Sequence, residues 1–172
     1  MPNYDAPFGF KATGVGVAGA HRIVTHRRTK LASNTDQFFT GDALGADANG
    51  GLSRSITPGT TPVLGISPGN FPASTLATIG MLPVEGMLFL VQSNGDFQRT
   101  HVNQNANLAL GTGNANTKTS ADVLNISTVA TTNTLDLKIN EAADNRENVF
   151  GNYGIAIVSF NRAGIGSLIV GV

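Results

Sequence analysis

The chain has no cysteine and no tryptophan, and only 13% of its 172 residues carry charge. Each lack excludes something. Without cysteine there is no disulfide framework, no thiolate nucleophile and no zinc–thiolate site. The charged fraction is about half the usual share of about 25%. The 11 basic and 11 acidic residues cancel to a net charge of zero. That argues against nucleic acid as a partner, because phosphate binding needs a basic excess. No apolar run approaches the roughly 18 residues that a membrane helix needs. Nor do the first residues show a basic stretch followed by an apolar one, so neither a secretory signal nor a membrane partner is expected.

Asn, Thr, Ser, Gly and Ala stand where the charges would be. Most of these are poor helix residues, and no segment of ten or more shows a 3.6-residue apolar period. A surface short of charge also lacks the repulsion that keeps free copies apart. The composition therefore predicts an all-β protein, a small β-barrel or β-sandwich with long loops, whose surface is partly covered by partners.

Residues 1–30 read as an extended N-terminal arm and residues 31–172 as a single β-rich domain. The first twenty residues hold four Gly and two Pro without apolar periodicity. The next ten hold Arg22, Arg27, Arg28 and Lys30, four of the eleven basic residues, with a first strand expected over 22–25. Turn signals follow at Gly41-Asp42 and Asn49-Gly50-Gly51. Short strands are expected over 52–56 and 62–66, with Phe38 and Phe39 seating the first hairpin in the core. Residues 73–86 read as a short helix or an irregular crossing. The apolar run 87–92 predicts a strand buried on both faces. Ser93-Asn94-Gly95-Asp96 then turns a hairpin into 97–101. Residues 103–134 read as a long loop region with weak strands. Residues 134–139 alternate and predict a half-buried strand, with Asp136 and Lys138 outward. Strands close the chain at 154–161 and 166–172.

Several patterns suggest chemistry and lack its context. Gly14-Val15-Gly16-Val17-Ala18-Gly19 matches the dinucleotide fingerprint, but no apolar strand precedes it and no helix-forming stretch follows. Gly65-Ile66-Ser67-Pro68-Gly69 matches a nucleophile elbow, yet the residue that should donate its N–H to the oxyanion is Pro68. Counted from Asp42 or Asp47, the twelfth position of a calcium loop falls on Ser53 or Pro58 instead of Glu. His21 and His26 fall on opposite faces of a strand. A pocket uniting Asp42, Asp47 and His101 would be needed to revive an enzyme. No catalytic residue, cofactor or metal is therefore expected.

The first ten residues, MPNYDAPFGF, resemble the opening of small virion proteins of tailed bacteriophages that decorate the head. The resemblance continues through Phe39-Thr40-Gly41-Asp42, Asn49-Gly50-Gly51 and Pro62-Val63-Leu64-Gly65-Ile66. It then follows Phe89-Leu90-Val91-Gln92, Asn107-Leu108, residues 120–124, 135–139 and 154–161, and so runs along most of the chain. One departure is the arm, glycine-rich and then basic. The resemblance implies a head decoration, or cement, protein: no enzyme, but a virion component on the capsid exterior, assembled in the bacterial cytoplasm. Its partners would be the major capsid protein and itself, as a homotrimer. Tyr4, Phe8, Phe10, Arg22, Arg27 and Arg28 of the arm would contact the capsid, in part by strand addition to a neighbour's sheet edge. Removing residues 1–20 would abolish binding and leave the domain folded. Another virion role, in the tail, the neck or an adhesin, is the alternative.

Overall fold

The structure is a computed structural model, and it describes residues 3–15, 26–144 and 148–161. The described residues are almost entirely β, as the composition predicts. Six strands form the main sheet: β1 (Lys11–Val15), β7 (Met87–Gln92), β13 (Ile155–Phe160), β11 (Leu137–Ala142), β9 (Asn105–Ala109) and β10 (Val123–Ala130). They lie in the order β1-β7-β13-β11-β9-β10, antiparallel throughout. Smaller sheets join β2 (His26–Lys30) to β6 (Ala77–Met81), and β4 (Leu52–Ser53) through β3 (Ala43–Ala46) to β5 (Gly65–Ile66). A last pair joins β8 (Asp96–Phe97) to β12 (Gly151–Asn152). The only helix among the described residues is a single 3-10 turn at Arg99–His101.

The apolar runs became the centre of the main sheet because β-branched and aromatic side chains pack well on a pleated face. In β7, Met87, Phe89 and Val91 point inward and are buried, while Leu88 and Leu90 are half-buried. The run is thus fully buried on one face only. Ala156 and Val158 of β13 pair with Val91 and Phe89. The ring of Phe89 meets Phe160 edge-on at 5.6 Å between centroids, and Phe10 sits 5.1 Å from Phe160. Burying each such ring contributes roughly 1.5–3 kcal/mol.

Several expectations are corrected. Residues 77–81 form β6 instead of a helix, because they pair with β2 along its whole length. Residues 93–96 turn a corner instead of a hairpin: β8 leaves β7 to pair with β12. Residues 103–134 contain two real strands, and β10, at eight residues, is the longest among those described. Polar side chains hid it; Thr128 stands in the ladder itself, its hydroxyl accepting from Asn107 N–H at 2.9 Å and donating to Asn125 C=O at 2.7 Å. Asp136 lies in a bend before β11, fully buried, and accepts from Gly59 N–H with both oxygens at 2.9 and 3.0 Å. The expected strands at 52–56 and 62–66 shrink to two residues each. The expected strands at 22–25 and 166–172 lie outside the described residues.

The main sheet curls without closing into a barrel. Ser93, just after β7, bridges to Leu124 of β10. Asn94 then covers that edge: its N–H donates to Leu124 C=O, and its Oδ1 accepts from Ile126 N–H, both at 3.0 Å. At the opposite edge, β1 is short, begins with exposed Lys11 and shifts register between Ala12 and Gly14. A cover, a lysine and a bulge are all devices that discourage edge-to-edge pairing.

Candidate functional site

The N-terminal segment is built into the domain and is not a free arm. Phe10 is 2% exposed and belongs to the core around Phe89. Its N–H donates to Gly41 C=O at 2.9 Å, and β1 pairs with β7 of its own chain. Gly9, at φ +71°, packs so closely that a Cβ would lie 2.4 Å from Ser120 Cβ, which only glycine permits. Phe10 is therefore a core residue and no partner contact, because the apolar strand 87–92 needs a ring above it. Cutting at residue 20 would remove β1 and Phe10 with it, so such a truncation does not isolate an anchor.

The remaining predicted contacts do not come together. Tyr4 is 76% exposed, Phe8 is half-buried, and Arg27 and Arg28 lie exposed on β2. Arg22 lies outside the described residues. Phe8 and Phe10 line an apolar groove of about 640 Å³, with Leu82, Leu90 and Ile155 on its walls and Lys11 beside them. Lys30, four residues after His26, is buried: its Nζ donates to Asn34 C=O at 3.0 Å and stands 5.2 Å from the centre of the Phe38 ring. Burial lowers the Lys30 pKa, against the opposing pull of Asp36.

Asp42, which the sequence offered as an ion ligand, belongs to an internal clasp. Arg54 Nε lies 3.2 Å from Asp42 Oδ2, and Arg54 Nη2 bonds Asp122 Oδ1 and Gly111 C=O. Asp122 Oδ1 accepts from Gly111 N–H at 3.0 Å and its Oδ2 from Ala43 N–H at 2.9 Å; Asp42 Oδ2 accepts from Phe39 N–H. Both carboxylates are fully buried against one guanidinium. Desolvation raises the Asp122 pKa to about 6, opposed by Arg54, and raises that of Asp42 as well. Asp47 is spent on the Asn49-Gly50-Gly51 turn, where its Oδ1 accepts from Asn49 and Gly51 N–H at 2.8 and 2.7 Å. Ser67 is buried and donates to Gly69 C=O at 2.8 Å. His101 closes the 3-10 turn, its Nδ1 accepting from Gln98 N–H at 3.2 Å. Asp42, Asp47 and His101 thus serve three separate places. No group of three or more His, Asp or Glu suited to a metal occurs among the described residues.

Among the described residues four large apolar side chains are notably exposed: Tyr4, Leu76, Val149 at 47% and Phe150 at 39%. The side chain of Asn3 fastens the N-terminal segment to residues 148–153. Asn3 Nδ2 donates to Val149 C=O at 2.8 Å and to Asn152 C=O at 3.0 Å, and Asn3 Oδ1 accepts from Val149 N–H at 3.3 Å. Gln92, buried at the end of β7, grips the segment from the other side. Its Nε2 donates to Tyr4 C=O at 2.7 Å and its Oε1 accepts from Ala6 N–H at 3.1 Å. Phe150 rests on buried Phe97 at 5.4 Å and under the Arg99 guanidinium at 5.4 Å. Sequence reasoning named Tyr4 as a partner contact and did not single out the exposed Val149 and Phe150. The signal was there: two adjacent large apolar residues inside a polar stretch that offers them no strand to hide in.

The chain matches no family model, no curated protein and no solved structure.

Proposed function

We propose that this protein is a non-enzymatic virion component that binds the outside of a phage capsid lattice as a homotrimer and cements adjoining capsomers. The observation that carries the reading is the N-terminal segment. The stretch with the family resemblance is fastened to the domain by two amide side chains, its own Asn3 and Gln92 of β7, while Tyr4 stands 76% exposed. Pinning an extended segment costs conformational entropy, and a partner for the displayed ring gives that cost a purpose. The charge-poor composition supports the same reading, since copies and capsid meet with little repulsion. A weak contact repeated in a trimer gains strength through avidity. The capsid reading no longer includes strand addition by an arm, because β1 is paired within its own chain.

The test is mass by light scattering, with co-sedimentation on expanded empty capsids. A trimeric mass and saturable binding are expected. A stable hexameric ring, or no binding to capsids, would replace this reading with a tail or other role.

A further inference from the structure

We infer that the apolar groove lined by Phe8 and Phe10 is a binding site for a single aliphatic chain ending in a carboxylate, with Lys11 taking the charged end. The inference goes beyond the capsid reading and does not depend on it.

The cavity itself is the first observation. Its volume of about 640 Å³ falls within the roughly 300–1,000 Å³ of small-molecule pockets. Phe8 and Phe10 of the N-terminal segment, Leu82, Leu90 of β7 and Ile155 of β13 converge on it. Backbone bonds tie these walls together. Gly41 C=O accepts from Phe10 N–H and Gly41 N–H donates to Ser67 C=O, both at 2.9 Å. Leu82 and Ile66 exchange two bonds at 2.9 and 3.0 Å. A site formed before its ligand arrives loses little freedom on binding. The same bonds select the occupant. Gly41 and Leu82 pair their backbone groups within the chain, Ser67 Oγ donates to Gly69 C=O at 2.8 Å, and Pro68 has no N–H. A peptide lying here would bury N–H and C=O groups with few partners, a cost that a hydrocarbon chain escapes. Charge decides the end group. Lys11 lines the groove and is exposed. Among the described residues Arg54 makes the only ion pairs, so no carboxylate of theirs answers the Lys11 ammonium. A ligand carboxylate placed there gains a charge-assisted hydrogen bond.

Calorimetric titration of the whole protein with dodecanoate, kept below its micelle concentration, is the test. One saturable site is expected. Decanoate, two methylenes shorter, should bind about tenfold more weakly. Dodecyltrimethylammonium, the same chain with the opposite charge, should also bind at least about tenfold more weakly. Lys11→Glu should reverse the preference between the two dodecyl probes. Leu90→Glu, which puts a charge in the wall, should abolish dodecanoate binding. Circular dichroism checks that both variants fold, and the chain-length and head-group series on the wild type decides the matter if either does not. Uptake without saturation, or equal wild-type affinity for the two head groups, overturns the inference. Undiminished dodecanoate binding by a folded Leu90→Glu variant overturns it too, by placing the chain elsewhere on the protein.

Discussion

The six-stranded sheet and the smaller sheets of residues 26–82 are held together by different means. In the main sheet, strands of five to eight residues pair along most of their length over a core containing Phe10, Phe89 and Phe160. In the smaller sheets, β3, β4 and β5 run only four, two and two residues. Ladders that short leave backbone groups unmatched, and polar side chains supply the partners. Asp36 accepts from Arg54 N–H, Asn34 donates to Leu52 C=O, Asp47 holds its turn, and Asp42 and Asp122 grip Arg54. The second region has an apolar cluster of its own, Phe38, Leu44, Leu52, Ile79 and Met81, and adds this polar clasp to it.

That contrast is most easily broken at Arg54. Arg54→Ala strands two buried carboxylates without a cation and should cost about 3–5 kcal/mol. Phe89→Ala, which opens a cavity at the centre of the main sheet, should cost about as much. Denaturant titration compares the two directly. A loss below about 1 kcal/mol for Arg54→Ala would mean that the clasp does not hold the short strands.

The next effect sharpens the comparison with pH. Asp122 in the folded protein keeps its proton to about pH 6, whereas in the unfolded chain it titrates near the ordinary value of 3.8. Between these values the folded state binds more protons than the unfolded state. Stability from this group therefore falls as pH rises from about 4 to about 6 and is level above that. The raised pKa of Asp42 acts in the same direction. Thermal melts of the wild type should show this loss, and Asp122→Asn should flatten it. Melting temperatures that rise through the same interval in both proteins would refute the proton on Asp122.

The same contrast decides what the sequence made legible. The strands at 87–92 and 155–160 were readable because their apolar runs are almost unbroken, although β7 is fully buried on one face only. β9 and β10 were not, because β10 lies at the edge of the sheet and side chains such as that of Thr128 make polar residues serve as sheet residues. The turns at Gly41-Asp42 and Asn49-Gly50-Gly51 were readable from local backbone chemistry; Gly41 and Gly50 take φ +91° and +78°. The partners of Asp42 were not, since Arg54 and Asp122 approach it only in the folded chain. Of the exposed side chains, Tyr4 could be named from its segment. Phe150 and Arg99 needed the pairing of β8 with β12, which no local pattern announces.

The smallest expected effect lies where the two kinds of holding meet, at the outer edge of β10. There the longest strand of the apolar sheet depends on one polar residue of the β7–β8 corner. Asn94→Ala keeps the backbone bond to Leu124 and removes the side-chain acceptor of Ile126 N–H. Because water can reach that N–H, the direct cost should be only about 1 kcal/mol. The larger consequence is exposure. Strand β10 runs Val-Leu-Asn-Ile-Ser-Thr-Val-Ala, with no charge and no proline to discourage a foreign strand. Light scattering of Asn94→Ala should therefore show association that grows with concentration, with the melting temperature almost unchanged. Asn94→Asp restores an acceptor for Ile126 N–H and places a charge on the edge, so it should stay dispersed like the wild type. If both variants stay dispersed at every concentration, Asn94 is not what guards this edge.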